Sequence, residues 1–113
     1  MFKKLFGSDD SDLNLTNKDF LAKIKEGDAI LIDVRTREEF NEGHIPGAVN
    51  IDFYEDYVEN ISNYDKERKY LLYCRSGSRS YSALKIMKNQ GFQNVSHLDS
   101  GIIGWDQTLV NSD

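Results

Sequence analysis

Hydrophobic and polar positions alternate along the chain in two rhythms. "AILIDV" (29–34) and "KYLLY" (69–73) are apolar almost without interruption. Strands buried on both faces of a parallel sheet read this way. "NVSHL" (94–98), a short strand near 48–51 and "LNLT" (13–16) complete the strand candidates. Between them run helical patterns. In "LTNKDFLAKIKEG", Phe20, Leu21 and Ile24 share one face. Thr16 is placed to cap, Asp19 to reach back and Leu15 to staple onto Phe20, and Gly27 ends the helix. "TREEFNEG" repeats that logic with Thr36, Glu39 and Gly43, and a turn follows at Pro46-Gly47. "DFYEDYVENI" predicts a helix capped by Asp52 with Tyr54, Tyr57, Val58 and Ile61 inward. "RSYSALKIMKNQG" predicts another, with Ala83, Leu84 and Met87 inward, Lys85 and Lys88 outward, and positive charge near its C-terminal end. "SGIIGWDQTLV" reads as a loop leading into a closing helix. Strands alternating with helices imply an α/β domain with a mostly parallel sheet.

The 113 residues suit one domain, expected over 13–110, with a flexible tail at 1–12 and a short tail at 111–113. A composition 39% hydrophobic with one proline is that of a soluble globular protein. The formal charge of −5 argues against nucleic acid or an anionic membrane as a partner held by bulk charge. "MFKKLFGSDDSD" has two lysines but no apolar stretch behind them, so neither a signal peptide nor a membrane span is expected and the cytoplasm is the default. A single cysteine excludes an internal disulfide and a thiolate metal cluster, and fits a reducing compartment.

That cysteine, Cys74, stands in "YLLYCRSGSRSYSALKIM", between an apolar strand and a helix. The link carries two arginines, three serines and a glycine but no acid. Ligands of open α/β sheets bind beyond the carboxyl ends of the strands. The next helix begins within a few residues, and its first amides lack intrahelical partners, so they face an anion if the loop curls. Gly77 permits the positive φ of a tight curl, and Ser76, Ser78 and Ser80 add hydroxyls. The same field favours thiolate over thiol. The expectation is a nucleophilic thiolate inside its own anion site. The plainer alternative for a lone cysteine is a small buried hydrophobe.

"LIDVRTREEFNEGHIPGAVNI", then "YLLYCRSGSRS", then "GIIGW" resemble, in content and order, a single-domain rhodanese, a sulfurtransferase module, over about Leu13 to Val110. The resemblance implies a five-stranded parallel sheet with helices on both faces. It implies that Cys74 takes sulfane sulfur from thiosulfate, releases sulfite, becomes a persulfide and passes the sulfur to cyanide or a thiol acceptor. The backbone amides of residues 75–79 would hold the anionic sulfur, and Arg75 and Arg79 would supply positive charge to the donor. No metal and no cofactor beyond the covalent persulfide are implied. Related phosphatases resemble this arrangement with a seven-residue loop and an acid after the cysteine, whereas Cys74 through Arg79 is six residues. A shorter ring of amides suits a sulfur atom better than a phosphate. Mercaptopyruvate users resemble a glycine-rich, arginine-poor loop, from which this one departs. The chemistry is coherent in itself. Cations and oriented amides offset the repulsion between a thiolate and dianionic thiosulfate and stabilise departing sulfite. Alternatives are a persulfide carrier serving a partner protein, a cysteine phosphatase or arsenate reductase, and a silent binding module.

Asp33 and Arg35 end a strand on the same side of a parallel sheet as the loop. They read either as an ionic bracket on the pocket rim or as structural residues, with Arg35 pairing Glu38 or Glu39 one helical turn on. His44 in "GHIPG" reads as a turn-fixing residue before an acid–base one, and His97 as a plain core or surface residue. Trp105 and the glycines of 101–104 form either a last wall near the pocket or simple core. The tyrosines of "FYEDYVENISNY" are either core on one face or a rim for a protein partner.

Overall fold

The protein, here a computed structural model, is described over residues 13–111; the expected tail at 1–12 and residues 112–113 lie outside the described residues. β1 (Asn14–Leu15), β2 (Ala29–Asp33), β3 (Val49–Asn50), β4 (Lys69–Tyr73) and β5 (Asn94–Leu98) form one five-stranded sheet in the order β1-β5-β4-β2-β3. Every pairing is parallel. The order places β4 at the centre, with Asp33 of β2 level with Tyr73 and His97 of β5 level with Leu72.

Alternation along β4 divides the core. Tyr70, Leu72 and Cys74 face one layer, with Tyr57 and Ile61 of α3 (Tyr57–Ile61) and Ala83, Leu84 and Met87 of α4 (Ser78–Asn89). Leu71 and Tyr73 face the other, with Phe20 of α1 (Asn17–Glu26), Ile45 and Leu98. Each large aliphatic side chain buried in these layers contributes roughly 1.5–3 kcal/mol.

Local signals act where they are short-range. The Thr16 hydroxyl accepts from Asp19 N, and Gly27 closes α1 at φ +83. α2 (Arg37–Glu42) carries a full capping box, with Thr36 and Glu39 bonded both ways. The stretch 52–61 departs from expectation. Asp52 holds a turn, accepting from Tyr54 N at 2.9 Å, and the helix starts only at Tyr57. With the helix begun later, Tyr57 and Ile61, one turn apart, face inward, while Tyr54 and Val58 are exposed. The expected closing helix is also absent among the described residues. After a 3₁₀ turn at Ile102–Gly104 the chain continues without regular structure through a bend at Gln107, and Val110 makes an antiparallel bridge with His44.

Candidate active site

Cys74 follows the last residue of the central strand and is 1% exposed. The chain turns at once into α4. Gly77, at φ +99, occupies the N-cap position, where no side chain caps the helix. The sulfur takes that role. Cys74 Sγ accepts from Gly77 N at 3.1 Å and from Ser80 N, in the first turn of α4, at 3.3 Å. The amides that reach Cys74 Sγ are that of Gly77, within the 75–79 expected to hold the transferred sulfur, and that of Ser80, just beyond it. Two orphan donors of a helix N-terminus converge on it, and the helix dipole adds positive potential there.

A second loop braces the first. Ile102 N donates to Cys74 O at 2.9 Å and Ile103 N to Arg75 O at 3.0 Å. Gly77 and Gly101 allow this approach. A Cβ on Gly77 would overlap the Asp99 carbonyl oxygen, and one on Gly101 the Arg75 carbonyl oxygen. The 101–104 segment therefore sits against the cysteine loop. Trp105 does not. It packs edge-on against Phe20 with centroids 5.8 Å apart and lines an apolar groove with Leu21, Ile24, Ile45 and Pro46 on the α1 face.

The serines divide. Ser76 and Ser78 are exposed, whereas Ser80 is fully buried with its hydroxyl 3.5 Å from Cys74 Sγ. That hydroxyl lies 2.7 Å from His97 Nδ1, and His97 Nε2 lies 2.6 Å from Asn14 Oδ1. His97 is neither plain core nor surface. It is 1% exposed, and both its ring nitrogens are engaged one bond away from the cysteine's neighbour. Burial lowers its pKa from the ordinary 6.5, with the Asp99 charge opposing. A usable signal stood in the sequence: in "NVSHL" the two-residue period puts His97 on the face of Val95, which packs towards α4.

The arginines divide too. Arg75 is exposed and makes no ion pair among the described residues. Arg79 grips Glu39 through two bonds, at 2.8 Å and 3.1 Å. Its charge is thus shared with a carboxylate 40 residues away that also caps α2. The Arg79 hydrogen bond, against burial and with help from Thr36, holds Glu39 at about 2 instead of 4.5. A depressed folded-state pKa contributes stability that is complete above the ordinary value and fades as pH falls towards about 2. Glu39→Gln should therefore flatten the acid limb of stability between those values in urea melts. An acid limb identical to the parent's would remove the pair from the stability account.

Arg35 does not pair Glu38 or Glu39. It clasps Asp33, with NH2 2.7 Å from Oδ2 and Nε 3.0 Å from Oδ1, and also donates to Gly43 O at 2.6 Å. Burial works against the guanidinium's charge, but the Asp33 bond and charge outweigh it and raise the pKa. Burial, then the Asp33 charge, likewise pushes the Tyr73 phenol up. His44 closes its turn: Nδ1 donates to Phe40 O at 2.8 Å and the ring stacks on Phe40. Tyr73 hydroxyl accepts from Ile45 N at 2.9 Å in the same region. No cluster of metal-ligating side chains occurs among the described residues, and no helix there is long and apolar enough to cross a membrane.

A sulfur capping a helix from a strand end agrees with a family match. Residues 16–108 fit the family model of the Rhodanese-like domain. The chain belongs to this family. It is 38% identical over 78 residues to a sulfurtransferase of Allochromatium vinosum, covering 69% of this chain and 72% of that one. It is 42% identical over 76 residues to a putative sulfurtransferase, YtwF, of Bacillus subtilis, covering 67% and 72%. It is also 36% identical over 106 residues to a tRNA uridine(34) hydroxylase of Bacillus velezensis, covering 84% of this chain but 33% of that longer one. Among solved structures, a rhodanese-like domain protein of Staphylococcus aureus superposes with a TM-score of 0.77 at 26% identity, covering 88% of this rhodanese-like chain and 98% of the other.

Proposed function

We propose that the protein is a sulfurtransferase working through a Cys74 persulfide, with thiosulfate as donor and a thiol or cyanide as acceptor. The observation that carries this reading is the sulfur itself, seated as the acceptor for the amides of Gly77 and Ser80 at the head of α4. In the first step a Cys74 thiolate pair attacks the outer sulfur of thiosulfate. The new sulfur–sulfur bond forms as the old one breaks, and its electron pair leaves with sulfite. In the second step an acceptor thiolate or cyanide attacks the terminal sulfur of the persulfide, and Cys74 recovers its pair as a thiolate.

The donor is anionic, so charge must meet it. The two amides and the exposed Arg75 supply it most directly; Arg79, held by Glu39, supports the loop and adds a shared charge. The relatives named as sulfurtransferases support the reaction class. The six-residue loop without an acid supports sulfur over phosphate.

Incubation with thiosulfate followed by intact-mass measurement should show one added sulfur that dithiothreitol removes and that Cys74→Ser cannot acquire. A protein that gains no sulfur, or a Cys74→Ser variant that still gains it, overturns the proposal. Hydrolysis of an aryl phosphate dependent on Cys74 would move the assignment to the phosphatases.

A further inference from the structure

Behind the cysteine loop, polar groups run in a line into the sheet. Cys74 Sγ lies 3.5 Å from Ser80 Oγ, that hydroxyl 2.7 Å from His97 Nδ1, and His97 Nε2 2.6 Å from Asn14 Oδ1. Ser80 and His97 are 0% and 1% exposed, so both lie away from bulk solvent. The Asn14 oxygen accepts only, which calls for a hydrogen on Nε2. A neutral imidazole so arranged presents a lone pair at Nδ1. The Ser80 hydroxyl has one hydrogen and three acceptors around it. Nδ1 at 2.7 Å is nearer than Gly77 O at 3.2 Å or Sγ at 3.5 Å. While His97 is neutral, the hydroxyl hydrogen therefore points away from the sulfur, and a Cys74 thiol donates to the Ser80 oxygen. Once Nδ1 carries a hydrogen, the imidazolium donates to Ser80, and the hydroxyl is free to turn to the sulfur.

We propose that His97 is a positioning residue that sets, through the Ser80 hydroxyl, whether Cys74 is held as thiol or as thiolate. The proposal rests on the reading of Cys74 as the sulfur-carrying nucleophile. The Sγ–H bond breaks with its pair left on sulfur. That proton bonds to Ser80 Oγ, and the original Ser80 hydrogen passes to the Nδ1 lone pair. Thiol and neutral imidazole become thiolate and imidazolium, and serine is restored. The thiolate then accepts from three donors: the Gly77 amide, the Ser80 amide and the Ser80 hydroxyl. Negative sulfur and positive imidazole favour each other reciprocally. The groups facing His97 are Asn14 from β1, Ser80 and the Tyr81 ring from α4, Leu72 alongside in β4, and Asp99 just past β5, whose charge favours the imidazolium while burial opposes it.

The test uses the full chain with isotope-labelled histidine and two readouts. Nitrogen NMR should find the Nε2–H tautomer for His97 at neutral pH. Its titration should move to lower pH in Cys74→Ala, which removes the negative partner, and in Ser80→Ala, which cuts the link. Separately, the rate of thiosulfate loading against pH, followed by intact mass, should show an inflexion that tracks the His97 titration. His97→Asn, which keeps a polar side chain but does not titrate, should lose that inflexion and load roughly tenfold more slowly near neutrality, the scale of one hydrogen bond to a charged group. An Nδ1–H tautomer, a His97 titration unmoved by Cys74→Ala, or a His97→Asn profile parallel to the parent's overturns the proposal. A histidine with a purely structural role would move neither readout. If thiosulfate fails to load the parent protein, the sulfurtransferase reading falls, and the NMR titrations still decide the role of His97.

Discussion

Gly101→Ala should cost about 3–5 kcal/mol of stability and at least a hundredfold in thiosulfate loading, though residue 101 carries no chemistry. Gly101 sits at φ +75 and ψ 176, a region essentially reserved for glycine, where a Cβ alone costs roughly 1–3 kcal/mol. The larger part comes from what that Cβ would meet. It would overlap the Arg75 carbonyl oxygen and stand 2.5 Å from its carbon and 2.6 Å from Ser76 Cα. All three are backbone atoms, so no rotamer change relieves the clash. Either the 101–104 segment or the cysteine loop must move. Motion of either breaks the bonds from Ile102 N to Cys74 O and from Ile103 N to Arg75 O. The amides of Gly77 and Ser80 would then lose their aim at the sulfur. Gly27→Ala is the control. Gly27 has φ +83 but nothing within 4 Å of its Cβ position, so it should show the backbone cost alone. Urea melts read the stabilities, and intact mass after thiosulfate reads the loading. Equal losses at 101 and 27 would mean that the contact between the two loops does not matter.

What the sequence made legible was short-range or periodic. The Thr36–Glu39 box spans three residues and could be read directly. The nearly continuous apolar runs of β2 and β4 marked buried strands, and the glycine at 77 marked the curl. What stayed hidden was set by residues meeting across the sheet. Glu39 was read as a cap of α2 and a possible partner for Arg35, and nothing local showed that Arg79 would claim it from 40 residues away. The Asp52 signature, an acid before an apolar run, serves a turn as well as a cap. The chain used it for the turn and began α3 after Asp56, which adopts φ +53. His97 became meaningful only when the order β1-β5-β4 put Asn14 on one side of it and α4 over its face. Trp105 lies close in sequence to the bracing turn, yet its ring packs on Phe20 in the core layer that Ile102 also enters, and not on the cysteine loop.

Arg35→Met should destabilise the protein by roughly 3–5 kcal/mol, the cost of stranding a buried charge. Asp33 is fully buried, and its carboxylate accepts from Arg35 Nε, NH2 and the Arg35 amide. The substitution leaves the amide at 2.9 Å as its one remaining donor from that residue. Gly43 O loses its 2.6 Å partner, and the Tyr73 ring loses the guanidinium 5.7 Å from its centre. The damage should reach the site because of where the pair lies. Asp33 is level with Tyr73, one residue before Cys74, and Val34 N bonds to Tyr73 O at 3.0 Å. The same clasp ties the end of β2 to Gly43, beside the His44–Val110 bridge. The double variant Asp33→Asn with Arg35→Met separates the two meanings of a buried ion pair. Removing both charges removes the stranded one, so most of the lost stability should return even though the salt bridge is gone. Thiosulfate loading should then return with it, because the pair supports the strand ends without meeting the donor. Urea melts of the four proteins in the cycle give the coupling directly. If the double variant is as unstable as the two single losses added together, the two side chains are uncoupled and the stranded-charge account of Arg35→Met fails.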